Sequence, residues 1–180
     1  MARRRSSKKS NYNYRPIYTF PELHERVCSA VEDDDVEPHW VDRDDDNARD
    51  HENEYSTNVM GTFRCENGSC SNDSWGSKKV AIVIRGYEDD GYNAEVFNQR
   101  CKACNQLGVL TLHENSYVER VAYRVKKWAG VTVEQPHYGQ PGEGPPHERD
   151  LCEGCKAGYC LSGGVDDLSF AQMSLGRRHS

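Results

Sequence analysis

The stretch VAIVIRGYEDDGYNAEVFNQRCKAC, Val80 to Cys104, decides the fold. Val80 to Ile84 is a short β-branched, apolar run, the composition of a strand. YEDDGY follows, and Asp90-Gly91 is a turn dipeptide that lets the chain double back. Tyr92 to Arg100 then reads as the returning strand of a hairpin. That strand delivers the chain to Cys101-Lys-Ala-Cys104, a C-x-x-C pair. Two thiolates on one tight turn are half of a tetrahedral zinc site, because the turn aims both sulfurs at one point.

The other half lies upstream. Cys65 and Cys70 form a wider pair, C-x4-C, with Asn67-Gly68 between them. One pair enters the hairpin and the other leaves it, so both belong at the same end. This zinc-ribbon logic assigns Cys65, Cys70, Cys101 and Cys104 to one site. The remaining donors are clustered in PPHERDLCEGCKAGYC, Pro145 to Cys160, where His147, Cys152, Cys155 and Cys160 are spaced H-x4-C-x2-C-x4-C. They make the second site, and the eight donors suffice for two Zn2+ ions. A crossed wiring, with Cys152 and Cys155 joining Cys65 and Cys70, stays open at this point. So does His137 as a donor in place of His147. A C-x-x-C pair can also be redox active, but several such pairs plus a histidine favour metal.

Each set is closed by four protein donors, whereas a catalytic zinc keeps one position for water. The zinc-deaminase pattern requires H-x-E and P-C-x-x-C. Here Leu151 precedes Cys152, and His147-Glu148 and His113-Glu114 have the wrong spacing. The expectation is structural zinc and no enzyme.

Around the hairpin, Leu107 to His113 reads as a third strand. ENSYVERVAYRVKKWAG is a helix, with Ser116 and Glu119 as a capping box and Gly130 as the C-terminal glycine. Val118, Val121, Ala122, Val125, Trp128 and Ala129 recur at helical spacing and should face the sheet. Residues 133–146 are a Pro- and Gly-rich loop. The fold class expected is therefore a small α+β zinc-binding domain over residues 60–162. It has a zinc-ribbon-like antiparallel β-sheet and one packed helix.

The flanks differ in character. Hydrophobic residues are 36 % of the 180 and the mean hydropathy is −0.91; so apolar-poor a chain should not fold along its whole length. Residues 1–19, a basic arm, hold six Lys/Arg and no acid; residues 20–59 hold fourteen Asp/Glu against three Arg. Like charges so crowded resist compaction, and residues 1–59 read as a disordered tail. Tyr18, Phe20 and Trp40 offer it transient contacts with the domain. Cys28 within it reads as an ordinary free thiol. Residues 163–180 read as a flexible C-terminal tail with a weak helical pattern near Leu168 to Leu175. The domain itself holds twelve basic and thirteen acidic residues, so −5 of the net charge of −6 comes from the flanks. No apolar run approaches the roughly 18–20 residues of a membrane span, and MARRRSSKKS lacks the apolar core of a secretory signal. Eight cysteines without such a signal read as ligands or reduced thiols.

The order GTFRC…C…W…KKV, YNAEVFNQRCKAC, YVERVAYRVKKWAG and PPHERDLCEGCKAGYC resembles the 3CxxC-type zinc-finger domain, over roughly Met60 to Cys160. The wording between the cysteines is most similar to a fungal branch of that family. The family also includes zygote arrest and receptor-transporting proteins. The departure is Cys65-x4-Cys70, where the family commonly has two intervening residues. The resemblance implies messenger-RNA binding by analogy with zygote arrest proteins, or receptor trafficking by analogy with receptor-transporting proteins. The latter typically carry a C-terminal membrane segment, which this sequence does not show.

Three functions follow as expectations. The first is a protein-interaction adaptor with an unidentified protein partner. The second is binding of single-stranded RNA. Arg120, Arg124 and Lys127 repeat along the helix with Tyr117 and Tyr123 nearby, and Arg100 and Lys102 flank the second cysteine pair; cations beside aromatics suit phosphate contact and base stacking. A solvated helix face is the plainer reading of that stripe. The third is a soluble receptor-trafficking chaperone. The expected location is the cytoplasm, with RRRSSKK (Arg3 to Lys9) readable as a nuclear signal; RRRSS and RRHS also match basophilic kinase sites.

Overall fold

The computed structural model describes residues 15–42, 51–134 and 147–160. The basic arm before Arg15, the loop containing His137 and the C-terminal tail lie outside the described residues. The hairpin is present and longer than its sequence pattern. β3 (Asn53–Arg64) and β4 (Ser74–Gly86) pair antiparallel along nearly their whole length, and β4 pairs antiparallel with β5 (Gly91–Phe97). β6 (Val109–Leu112) pairs with the far end of β3. Two short strands, β1 (Ile17–Tyr18) and β2 (His39–Trp40), both pair with β5, β1 antiparallel and β2 parallel. The sheet order is β1-β5-β4-β3-β6, with β2 beside β5.

β3 and β4 change register between Val59 and Gly61. Val59 faces Val80, but Gly61 faces Ser77, so two steps on β3 match three on β4. Such a bulge bends the strand and increases its twist. The bulge is held from outside: the Met60 N–H donates to Ser116 Oγ at 3.0 Å, and the His113 N–H to the Met60 carbonyl at 2.9 Å.

α2 (Glu114–Trp128) packs across the sheet. Tyr117, Val121 and Val125 join Phe63, Ile82, Ile84, Tyr92 and Val96 in the main core. The capping box expected at Ser116 and Glu119 is corrected here. The helix starts earlier, and His113 is the N-cap, its Nδ1 accepting from the Ser116 N–H at 3.3 Å. Ser116 is already in the first turn, where its hydroxyl donates back to the His113 carbonyl at 2.8 Å. Gly130 does end the helix: its φ is +82°, and the Val131 N–H returns to the Lys126 carbonyl at 2.9 Å.

The reading of residues 1–59 as one tail without structure is corrected over 15–42 and 51–59. β1 is followed by a 3-10 turn (Pro21–Leu23), by α1 (His24–Ser29) and by a second turn (Glu32–Asp34). Leu23, Val27, Val31 and Val36 are buried in the main core, and Phe20 and Trp40 pack against it. The physical reason is spacing: Leu23, Val27 and Val31 recur at four-residue intervals among the acids, so one face of α1 is apolar. Its charges are neutralised against the helix. Lys126 meets Asp34 at 2.5 Å, and Arg26 meets Glu114 at 2.5 Å.

A smaller cluster, Ala81, Val83 and Phe97, is covered by Ile17, Tyr159 and Cys160. This places the C-terminal cysteine segment, with a 3-10 turn (Arg149–Leu151) and α3 (Glu153–Lys156), against β4 and β5. Among the described residues, no helix is long and apolar enough to cross a membrane.

Candidate metal centres and the groove between them

The first centre forms where β3 ends, β4 begins and the chain leaves β5. Cys65 is held by its N–H bonding to the Asp73 carbonyl at 2.7 Å, and Cys70 by its N–H bonding to Asn67 at 2.8 Å. The Asn67 side chain accepts from the Ser69 N–H at 3.2 Å, which closes the turn that makes five residues of separation workable. On the other side, the Cys101 N–H bonds the Gln106 carbonyl at 2.8 Å, and the Asn105 N–H returns to the Cys101 carbonyl at 2.8 Å. Asn105 takes the left-handed region at φ 60°, which asparagine tolerates. The result brings Cys65 Sγ to 3.5 Å from Cys104 Sγ and Cys70 Sγ to 3.6 Å from Cys101 Sγ.

The second centre draws on His147 and the segment Cys152 to Cys160. His147 Nε2 is 3.2 Å from both Cys155 Sγ and Cys160 Sγ. In each set all four donor atoms lie within 4.8 Å of one another. The local sets, not the crossed ones, are brought together, with His147 beside the three cysteines of the second; His137 lies outside the described residues.

The donor geometry fits zinc. A tetrahedral ion at about 2.3 Å from each sulfur would separate two sulfurs by roughly 3.8 Å, and a sulfur from a nitrogen by roughly 3.6 Å. The four gaps given above lie slightly inside those edges, within sets whose donors all fall within 4.8 Å of one another. All eight cysteines are free thiols, so no disulfide competes for these positions.

The electrostatics of the thiols suit a cation. Before a metal binds, burial and neighbouring thiols push Cys65 up to about 12. Burial also acts to raise Cys101, but the Asn72 side chain and the backbone N–H groups of Ala103 and Cys104 outweigh it and hold Cys101 at about 6. Asn72 serves both halves of the centre. Its side-chain amide donates to Cys101 Sγ at 3.3 Å and its backbone N–H to Cys70 Sγ at 3.4 Å. In the second centre the Cys160 thiol donates to Cys152 and pulls it down to about 5, while the same contact pushes Cys160 up. Each centre therefore holds at least one thiol shifted toward the thiolate that receives a divalent ion, Cys101 in the first and Cys152 in the second.

Residues 98–100 join the two centres. Gln99 bridges Cys152 in antiparallel fashion, the Arg100 N–H bonds the Leu151 carbonyl at 2.7 Å, and Arg100 Nε meets Glu153 Oε1 at 2.6 Å. The Gln99 side chain reaches the other way, donating to Ser77 Oγ at 3.0 Å and to the Lys79 carbonyl at 3.1 Å. Between these walls runs a groove of about 980 Å³. Its lining includes Gly61, Thr62 and Gly76 of the sheet, Lys102 beside the first centre, and His147 and Leu151 of the second.

The candidate RNA-contact residues fare differently. Tyr117 is fully buried and Tyr123 is 7 % exposed, so neither ring offers a face for base stacking. Arg120, 13 % exposed, donates to the Asn58 carbonyl at 3.2 Å. Arg124 lies over the Tyr55 ring at 3.1 Å. Arg100 is held by Glu153. Of the seven, only Lys102 and Lys127 are exposed. The helical repeat that suggested a basic face instead turns two arginines onto β3, a burial that spacing does not reveal. His113 is the helix cap described above. Cys28 sits beside His24, with Sγ 3.5 Å from Nε2. Asn72, Gln99 and Asn98 were missed by reasoning from motifs, since amide side chains carry no spacing signal.

The paired strands, the cysteine turns at the hairpin's open end and the two convergent tetrads define a zinc-ribbon type of protein. The zinc-binding domain of the 3CxxC zinc-ribbon family matches residues 58–158, and the chain belongs to that family. No curated protein and no solved structure matches the chain. Family and geometry agree on two zinc ions, and the two donor sets that fit them are Cys65, Cys70, Cys101 and Cys104, and His147, Cys152, Cys155 and Cys160.

Proposed function

We propose that the chain is a non-catalytic protein-interaction adaptor whose binding surface is kept in shape by two structural zinc ions. The observation that carries this reading is the placement of the groove: its walls come from the loops of both metal centres. Each centre already supplies four protein donors, so zinc bound there has no position left for a substrate. The zinc then contributes folding energy; zinc-finger peptides gain about 10–16 kcal/mol in this way.

RNA binding through α2 has less support, because Arg120 and Arg124 are engaged with their own chain and Tyr117 and Tyr123 are buried. The test is recovery of the full chain from cells under nuclease treatment. A stoichiometric protein partner, lost when zinc is chelated, is the expected result. Recovery of RNA by cross-linking with no nuclease-resistant protein partner would refute the adaptor reading.

A further inference from the structure

We propose that the groove between the zinc centres receives an extended acidic peptide carrying an apolar anchor. This rests on the adaptor reading and names the chemistry of its partner. The first observation is charge. Lys78, Lys79 and Lys102 line the groove, and among the described residues none of the three has an ion-pair partner. The neighbouring Arg100 is engaged by Glu153 at 2.6 Å, and among the described residues the one carboxylate lining the groove is that of Glu148. Among the described residues, three ammonium groups without an ion-pair partner thus share the groove with one acid, in a chain whose net charge is −6. Such a local reversal of sign steers an acidic partner to this place and suppresses others.

The second observation is the floor. Met60 is the exposed large hydrophobic side chain among the described residues, 36 % exposed, and it lines this groove, as do Leu112 and Trp75, which also pack against the main core. An apolar side chain of the partner gains most by burial there. Single-stranded nucleic acid fits less well. It needs aromatic faces for stacking, and the Trp75 ring is stacked on Phe63 at 5.3 Å. The shape suits an extended chain, since the lining runs from the end of β6 across β3 and β4 to the loops of both metal centres.

The test pans a phage-displayed library of random 12-residue peptides on the zinc-loaded full chain. Enriched peptides should carry several Asp/Glu around one or two large apolar residues. Their affinity should fall about two- to fivefold for each of Lys78→Glu, Lys79→Glu and Lys102→Glu, and at least about tenfold for the three together. Lys127→Glu makes the same charge change on the exposed end of α2, outside the groove, and should change affinity by less than about twofold. Met60→Ser, which removes no charge, should also weaken binding. Zinc content and thermal unfolding of each variant confirm that the fold is intact.

Four results would overturn the proposal. They are enrichment of basic or uncharged peptides, no enrichment, an equal loss with Lys127→Glu, and tighter, groove-dependent binding of oligo-uridylate. A cellular partner that binds the triple variant as well as the parent would refute the groove assignment and leave the adaptor reading standing. Absence of any partner together with absence of enrichment would refute both.

Discussion

Gly154 touches the sheet with its backbone. A Cβ added there would collide with the Ala81 Cβ and come within 3.4 Å of Phe97. The missing side chain is what lets α3 lie flat on β4 and β5, which in turn sets Cys152 and Cys155 at the second centre. Gly154→Val is therefore expected to destabilise the protein by about 1–3 kcal/mol through overpacking. It should lower zinc content toward one ion per chain, measured by thermal unfolding and metal analysis of the purified variant. A variant with full zinc content and unchanged unfolding would show that α3 does not dock this closely. The thiols give a second expectation at this scale. Cys101 and Cys152 are held at about 6 and about 5, while Cys65, Cys70, Cys155 and Cys160 are raised. At pH 7 the raised thiols carry protons that zinc must displace. Zinc rebinding should release protons into the buffer, and affinity should fall as pH drops through 6 and 5, where Cys101 and then Cys152 become protonated. Calorimetry in buffers of different ionisation enthalpy reads the release directly. Binding heats independent of the buffer would contradict it.

The amino-terminal segment is the element whose role the sequence concealed most fully. Its acids dominate any average over residues 20–59, yet Leu23, Val27, Val31 and Val36 form an apolar set that reaches the core. β1 and β2 also cover the outer edge of β5, which would otherwise present unpaired backbone groups. Leu23→Ala is expected to cost about 2–5 kcal/mol in urea unfolding. The neighbouring exposed Glu25→Ala should fall within about 0.5 kcal/mol of the parent. Equal, negligible effects of both would mean that α1 does not belong to the fold. The elements legible in advance were those with a strong period: the apolar run of β4, the return of β5, and α2. β3 was hidden because its first half, Asn53 to Asn58, is polar and without alternation, two exposed residues followed by four partly buried ones. The start of α2 was displaced because Ser116 and Glu119 imitate a capping box, whereas a histidine side chain performs the cap. Cysteine spacing marked both donor sets, since few other patterns place thiols so close. The inward turn of Arg120 and Arg124 could not be seen, because a helical repeat of cations looks the same whether it faces water or a neighbouring strand.

At the scale of the whole molecule, the two centres and the sheet act as one structure. Residues 98–100 bond to both metal loops, and Asn98 also donates to the carbonyls of Arg15 and Gly108 at 2.8 and 2.9 Å. Arg85 extends the link. It pairs with Glu54 at 3.0 Å and Glu95 at 2.9 Å, and reaches the Tyr159 hydroxyl at 3.1 Å, next to Cys160. Loss of either zinc should therefore loosen the groove as well as its own loop. The most direct measurement is the zinc stoichiometry of the full chain by native mass spectrometry. The parent should carry two ions. Cys70→Ser, at the more exposed edge of the first centre, should carry one, and His147→Ala one from the second. A parent that carries one ion or none, or variants that each retain two, would contradict the assignment of these eight residues to two structural zinc centres.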